Sequence, residues 1–200
     1  MSNVVVFGGS FNPPTKAHML IALKAVDLIN ADKLCFVPVG DKYVKESLIS
    51  SNYRVEMLNI LKNNNSSYDI DIDLTEVNSE KNLNTIDTLR ILQNKYKGST
   101  LYFLVGADNL LHIPEWKEAD ELLKNYKILT IRRDGYNIKD IINNKPLLNK
   151  YKENIVTIEI KESIFISSTM VRELIKNNNE DLEYYLDDNI KEYIKENQLY

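Results

Sequence analysis

Three short segments carry most of the residues whose types suit the binding of a phosphorylated ligand. The first is Gly8-Gly9-Ser10-Phe11-Asn12-Pro13-Pro14-Thr15-Lys16-Ala17-His18. It follows an apolar run at residues 4–7, so two glycines remove side chains just beyond a strand. Backbone N–H groups there can face an anion. With Thr15 as N-cap, His18 takes the third helical position, beside the positive end of a helix. The same residues also fit a tight strand–turn–helix with a surface histidine. The segment lacks the Gly-Lys-Ser/Thr ending of an ATPase phosphate loop and the third glycine of a dinucleotide fingerprint. The second segment is Ile166-Ser167-Ser168-Thr169-Met170-Val171-Arg172. Three hydroxyl residues precede an amphipathic helix, and Arg172 falls in its first turn. A cation there is unfavourable by the helix dipole unless an anion lies beside it. The alternative is a serine cap with Arg172 paired to Glu173 or Asp181. The third segment ends a strand with Gly106-Ala107-Asp108, a carboxylate placed to accept from ribose hydroxyls or to start the next helix. Trp116, the only tryptophan, suits either the stacking of a planar ring or an ordinary core.

The elements that must hold these segments alternate. Strands are expected at residues 4–7, 34–39, 68–74, 101–105, 128–131 and 155–160. Helices are expected at 17–29, 52–61, 85–96, 115–123, 169–176 and 188–196, with Asn84 as a candidate N-cap. This pattern predicts an α/β fold with a mainly parallel sheet flanked by helices and a small C-terminal helical segment. In such sheets ligands lie beyond the carboxyl ends of strands, where the glycine-bearing loops fall. The core is expected over residues 1–165. Residues 166–200 form the C-terminal segment, closing the site within the same domain.

Composition narrows the function classes. The 200 residues are 44% hydrophobic and 27% charged, with a net charge of −4. The last thirty residues hold 4 basic and 8 acidic side chains, so residues 1–170 are neutral. No basic face for nucleic acid is expected, and no stretch is apolar enough for a membrane span. One cysteine, Cys35, rules out an internal disulfide and a multi-thiolate metal site. The N-terminus carries no signal-peptide pattern, so a cytoplasmic location is expected.

Taken in order, these segments resemble the nucleotidyltransferase superfamily. Gly9–His18 is similar to its Gly-Ser-Phe-Asx-Pro…(Thr/His)-x-Gly-His motif, and Ile166–Arg172 to its Ile-Ser-Ser-Thr-x-x-Arg signature. Gly106-Ala107-Asp108, Trp116-Lys117, Arg133-Asp134-Gly135, Thr85–Leu89 and the closing Tyr193-Ile194…Leu199-Tyr200 resemble the nicotinamide/nicotinate mononucleotide adenylyltransferases. Ala17 departs from the motif, which usually has Gly, and Thr15 stands where many bacterial members have His. The stretch Pro38–Lys45 looks more like the eukaryotic-type loop, leaving acid and amide substrates both open.

The resemblance implies a Rossmann-like core and a reaction of ATP with a pyridine mononucleotide to give the dinucleotide and pyrophosphate. The attacking phosphate is mostly ionised at neutral pH, so no general base is required. His18, Lys45 and Arg172 are then the catalytic candidates. Gly9, Ser10, Phe11, His18, Gly106, Asp108, Ser168, Thr169 and Arg172 would bind ATP. Lys45, Thr85, Trp116 and Arg133 would bind the mononucleotide. Mg2+ would be held mainly by phosphates and water, with no protein ligand set. Expected partners are ATP and the mononucleotide, with room for a homo-oligomer. Competing readings are a pantetheine-phosphate, flavin or cytidylyl enzyme of the same superfamily, and a nucleotide sensor without turnover. His112 and Cys35 are read as structural.

Overall fold

The computed structural model describes residues 2–45, 47–131, 136–159 and 167–200. The elements are β1 (Asn3–Gly9), α1 (Lys16–Ile29), β2 (Lys33–Pro38), α2 (Ser51–Asn64), β3 (Ile70–Ile72), α3 (Thr85–Lys95), β4 (Thr100–Gly106), α4 (Ala107–His112), α5 (Ala119–Asn125), β5 (Lys127–Ile131), α6 (Ile138–Asn144), α7 (Pro146–Lys150), β6 (Ile155–Ile158), α8 (Ser168–Lys176), α9 (Leu182–Tyr185) and α10 (Asp188–Glu196). The strands form one sheet in the order β3-β2-β1-β4-β5-β6, and all its pairs are parallel. From β1 the chain winds outward to β3, then returns to β4 and winds outward the other way. The reversal leaves a crevice beyond the carboxyl ends of β1 and β4, where open parallel sheets take ligands.

Both faces of the sheet are buried, which is why its strands read as apolar runs. Alternate residues divide between two cores. Val5, Leu34, Phe36, Leu104 and Leu129 pack on one face with α1, α2, α8 and α10. Val4, Val6, Cys35, Val37, Leu101 and Phe103 pack on the other with α3 to α7. Val171, Ile190 and Ile194 join the first core, so the C-terminal helices bury their apolar stripe against the main sheet layer. Burial raises the Cys35 thiol to about 12, which keeps it protonated and inert at neutral pH.

Several elements differ from the sequence expectation. The strand expected at 68–74 shortens to Ile70–Ile72 because Asp73 turns the chain, accepting the Thr75 N–H at 2.9 Å. The helix expected at 115–123 begins only at Ala119. A 3₁₀ turn at Ile113–Glu115 precedes it, Trp116 is extended, and Glu118 has φ +52°. Short helices α4, α6, α7 and α9 lack enough turns to show a period. The last residues of the strand expected at 155–160 reach Ile160, outside the described residues. Asn84 does sit at an N-cap, but its side chain donates to Asp87 at 3.2 Å and caps no backbone group.

One buried cation ties the loops at the sheet's carboxyl edge. Arg54 of α2 is fully buried. It donates to the carbonyls of Ile49 (3.0 Å), Ser10 (3.0 Å) and Val39 (2.7 Å), and pairs with Asp41 at 3.2 Å. A guanidinium has donors enough for all four. Replacing it strands three carbonyls, each a full desolvation cost. Arg54→Leu should lose about 3 kcal/mol or more of unfolding free energy, read as a lower urea midpoint.

Candidate active site

The β1–α1 turn is a packed backbone cradle. Phe11 takes φ +46° and is 1% exposed. Its ring stands edge-on to Phe7, Phe36 and His18. A Cβ on Gly9 would lie 3.1 Å from that ring, so any larger residue there would have to push the ring aside by a few tenths of an ångström. Thr15 caps α1 as expected, with His18 at the third position and a reciprocal capping box between them. The Thr15 N–H donates to His18 Nδ1 at 3.0 Å, and the Thr15 hydroxyl lies 2.7 Å from the same nitrogen. Nδ1 is therefore an acceptor, which assigns the ring proton to Nε2. His18 is oriented by its own helix cap.

The second segment arrives from the far end of the chain. Ser167 caps α8, accepting the Met170 N–H at 3.1 Å. Ser168 Oγ donates to the Pro13 carbonyl at 2.9 Å. Arg172 donates to the Asn12 carbonyl at 2.8 Å and to Thr169 Oγ1 at 3.1 Å. Among the described residues, Arg172 is thus bonded to the first segment and to Thr169, not to Glu173 or Asp181. Lys45 comes from a third segment and donates to Ser10 Oγ at 3.1 Å. Partial burial and the neighbouring positive Arg172 both lower its ammonium below the ordinary lysine value. Like charges held this close favour an anion between them.

A cavity of about 530 Å3 opens beyond β1 and β4. Its wall includes Gly9, Ser10, Phe11, His18, Lys45 and the Ser167–Thr169 stretch, the residues suited to phosphates. The same wall includes Gly106, Asp108, Thr85 and Trp116. Asp108 lies in the first turn of α4, whose N-cap is Gly106. Trp116 packs edge-on to Phe103 with ring centres 6.3 Å apart, leaving it half-buried in the wall. Arg172 is not part of the wall and reaches it through Thr169. Arg133 lies outside the described residues. His112 lies away from the cavity, 3.1 Å from Glu115.

The cytidylyltransferase-like family model matches residues 6–174. The nicotinate-nucleotide adenylyltransferase of Bacillus subtilis is 31% identical, the alignment covering 100% of this chain and 99% of that protein. The probable nicotinate-nucleotide adenylyltransferase of Acholeplasma laidlawii is 33% identical, over 98% and 97% respectively. This chain belongs to the nicotinate-nucleotide adenylyltransferase family. The structure of the Plasmodium falciparum nicotinic acid mononucleotide adenylyltransferase complexed with NaAD matches with a TM-score of 0.83 and 26% identity, over 100% of this chain and 97% of that one. The same protein complexed with APC matches with a TM-score of 0.81 and 25% identity, over the same shares of the two chains.

Within this adenylyltransferase, some wall residues escape a reading by segment. Glu76, Thr88 and Tyr43 line the cavity, and Arg54 bonds to the carbonyls of the wall residues Ser10 and Val39. Thr88 falls in the Thr85–Leu89 stretch already noted, and Tyr43 in the loop before Lys45. Glu76 sits in a loop without period or glycine, so no local signal points to it.

The lowered Lys45 ammonium has a measurable sign. Only its protonated form attracts a polyanion, so affinity for inorganic tripolyphosphate should fall as pH rises through a value below that of an ordinary lysine. Lys45→Arg should carry that limb upward, since a guanidinium stays charged. Titration calorimetry across alkaline pH reads both.

Proposed function

We propose that this chain transfers the adenylyl group of ATP to nicotinate mononucleotide, giving the nicotinate dinucleotide and pyrophosphate. The observation that carries the reading is the convergence of Ser168 and Arg172 on the backbone of Asn12 and Pro13, beside His18 and above one cavity. A ligand with phosphates on one side and a planar ring on the other fits that wall.

A phosphate oxygen of the mononucleotide attacks the α-phosphorus of ATP. The bond from that phosphorus to the bridging oxygen of the β-phosphate breaks, and pyrophosphate leaves. The nucleophile is already ionised, so the protein's part is to position and to stabilise charge. His18 offers Nε2–H to the phosphates from a ring held by Thr15. Lys45 and the N-terminus of α8, with Thr169, neutralise charge on the departing phosphates. Arg172 orients Thr169 and supplies positive potential from behind. Mg2+ enters with ATP as part of the substrate, and Asp108 is the wall carboxylate nearest the end of β4.

The acid substrate is favoured over the amide by α3. Thr85 opens this helix in the cavity wall, and among the described residues no side chain caps its first N–H groups, the N-cap Asn84 included. The acidic residue of its first turn, Asp87, is bound by Lys117 at 3.0 Å. A helix start of this kind attracts a ring carboxylate more than a neutral carboxamide.

Two substitutions separate the two halves of the site. His18→Ala should lower kcat about 100-fold or more in a pyrophosphate-release assay, without loss of fold. A sensor would bind ATP and release no pyrophosphate in the unsubstituted protein. Trp116→Ala should raise the KM for nicotinate mononucleotide far more than the KM for ATP; equal rises would make Trp116 a packing residue. Side-by-side turnover with the nicotinate and nicotinamide mononucleotides checks the assignment to the acid.

A further inference from the structure

Among the described residues of the cavity wall, the acidic side chains are Asp108 and Glu76. Asp108 follows β4 at the sheet edge. Glu76 has no part in the chemistry above, and a carboxylate is out of place in a cavity built to draw polyanions.

Its position is fixed from several directions. Glu76 Oε1 accepts the Thr88 hydroxyl at 2.8 Å, and Thr88 is 4% exposed. A Cβ on Gly40 would sit 2.3 Å from the Glu76 carbonyl oxygen, so the loop after β2 lies directly against this backbone. Upstream, Asp73 binds Lys95 of α3 at 2.9 Å and shapes the turn that leads to Glu76. Lys117, next to Trp116 in sequence, binds Asp87 at 3.0 Å, and the Trp116 ring packs on Phe103. Glu76 and Lys117 are thus fastened to consecutive residues of one helix, and Glu76 and Trp116 both line one cavity.

Burial pushes the Glu76 carboxyl above its ordinary value. The Thr88 hydroxyl opposes that push, and Asp73 adds to it. A ligand that brings positive charge relieves this cost. The ring of an oxidised pyridine mononucleotide carries such a charge on its quaternary nitrogen, and the face of an indole attracts cations as well.

We propose that Glu76, which shares the cavity wall with Trp116, faces the cationic pyridinium ring and makes the site discriminate against the neutral dihydropyridine form of the mononucleotide. The inference rests on the function proposed above and adds a selectivity which that function does not require.

The unsubstituted protein is first assayed with ATP and nicotinate mononucleotide, since failure there removes the proposed function itself. Oxidised and dihydro nicotinamide mononucleotide then serve as a pair differing in ring charge, each measured as an inhibitor against nicotinate mononucleotide. The unsubstituted protein should hold the oxidised form more tightly. Glu76→Gln should cut that preference about fivefold or more while the KM for ATP changes little. Glu76→Ala is measured in parallel, so that a folding defect in one variant, seen in its melting curve, leaves the other to be read. Glu76→Asp, which keeps the charge, should retain the preference. An unchanged preference in a folded neutral variant overturns the proposal. So does an equal loss in the aspartate variant, which would mark the effect as one of shape.

Discussion

Asn12 is completely buried, and its polar groups each reach a different part of the chain. Its carbonyl accepts Arg172 of α8, and its Nδ2 donates to the Ser47 carbonyl at 2.8 Å. Its Oδ1 accepts the Tyr200 hydroxyl at 2.9 Å and the Ile49 N–H at 3.4 Å. A buried amide of this kind is costly unless every group is satisfied. Satisfying it brings together the β1–α1 turn, the loop that carries Lys45, α8 and residue 200. Arg54 repeats the device, with three carbonyls and Asp41 as its partners. The site is held by polar contacts between loops at the rim of a sheet whose own stability comes from apolar burial.

That arrangement explains how a chain with a net charge of −4 can draw a polyanion. The attraction is local. Lys45, Arg172, the His18 N–H and two helix starts meet at one edge, while the acidic excess lies in the last thirty residues. Arg172 in the first turn of α8 is unfavourable to its own helix. Its bonds to Asn12 and Thr169 hold it there, and a bound phosphate would use the potential it supplies. Catalysis then needs no relay of proton carriers, because the nucleophile is ionised before it binds.

The parts legible in the sequence are those with local rules. The apolar runs gave the sheet, since parallel strands buried on both faces need nothing else. Thr15 and His18 stand three apart at a helix start, and the reciprocal cap follows from that spacing. Ser167 is legible for the same reason. Other features depend on contacts that spacing does not encode. Asn12 was only a turn residue until α8 and Tyr200 came to rest on it. Arg54 carries no local signal, because its carbonyl partners come from two separate loops. Glu76 lies in a loop after a short edge strand, with neither period nor glycine to mark it. The helix expected at 115–123 failed for a local reason: Pro114 opens a 3₁₀ turn that leaves Trp116 extended. That break keeps the indole in the cavity wall.

The central claim is that two segments more than 150 residues apart bind one chain of phosphates. A crystal structure with a non-hydrolysable ATP analogue tests it most directly. The account predicts a triphosphate lying between the His18 ring and the start of α8, touching both. A triphosphate that contacts only one of them, or lies outside the cavity, would contradict it.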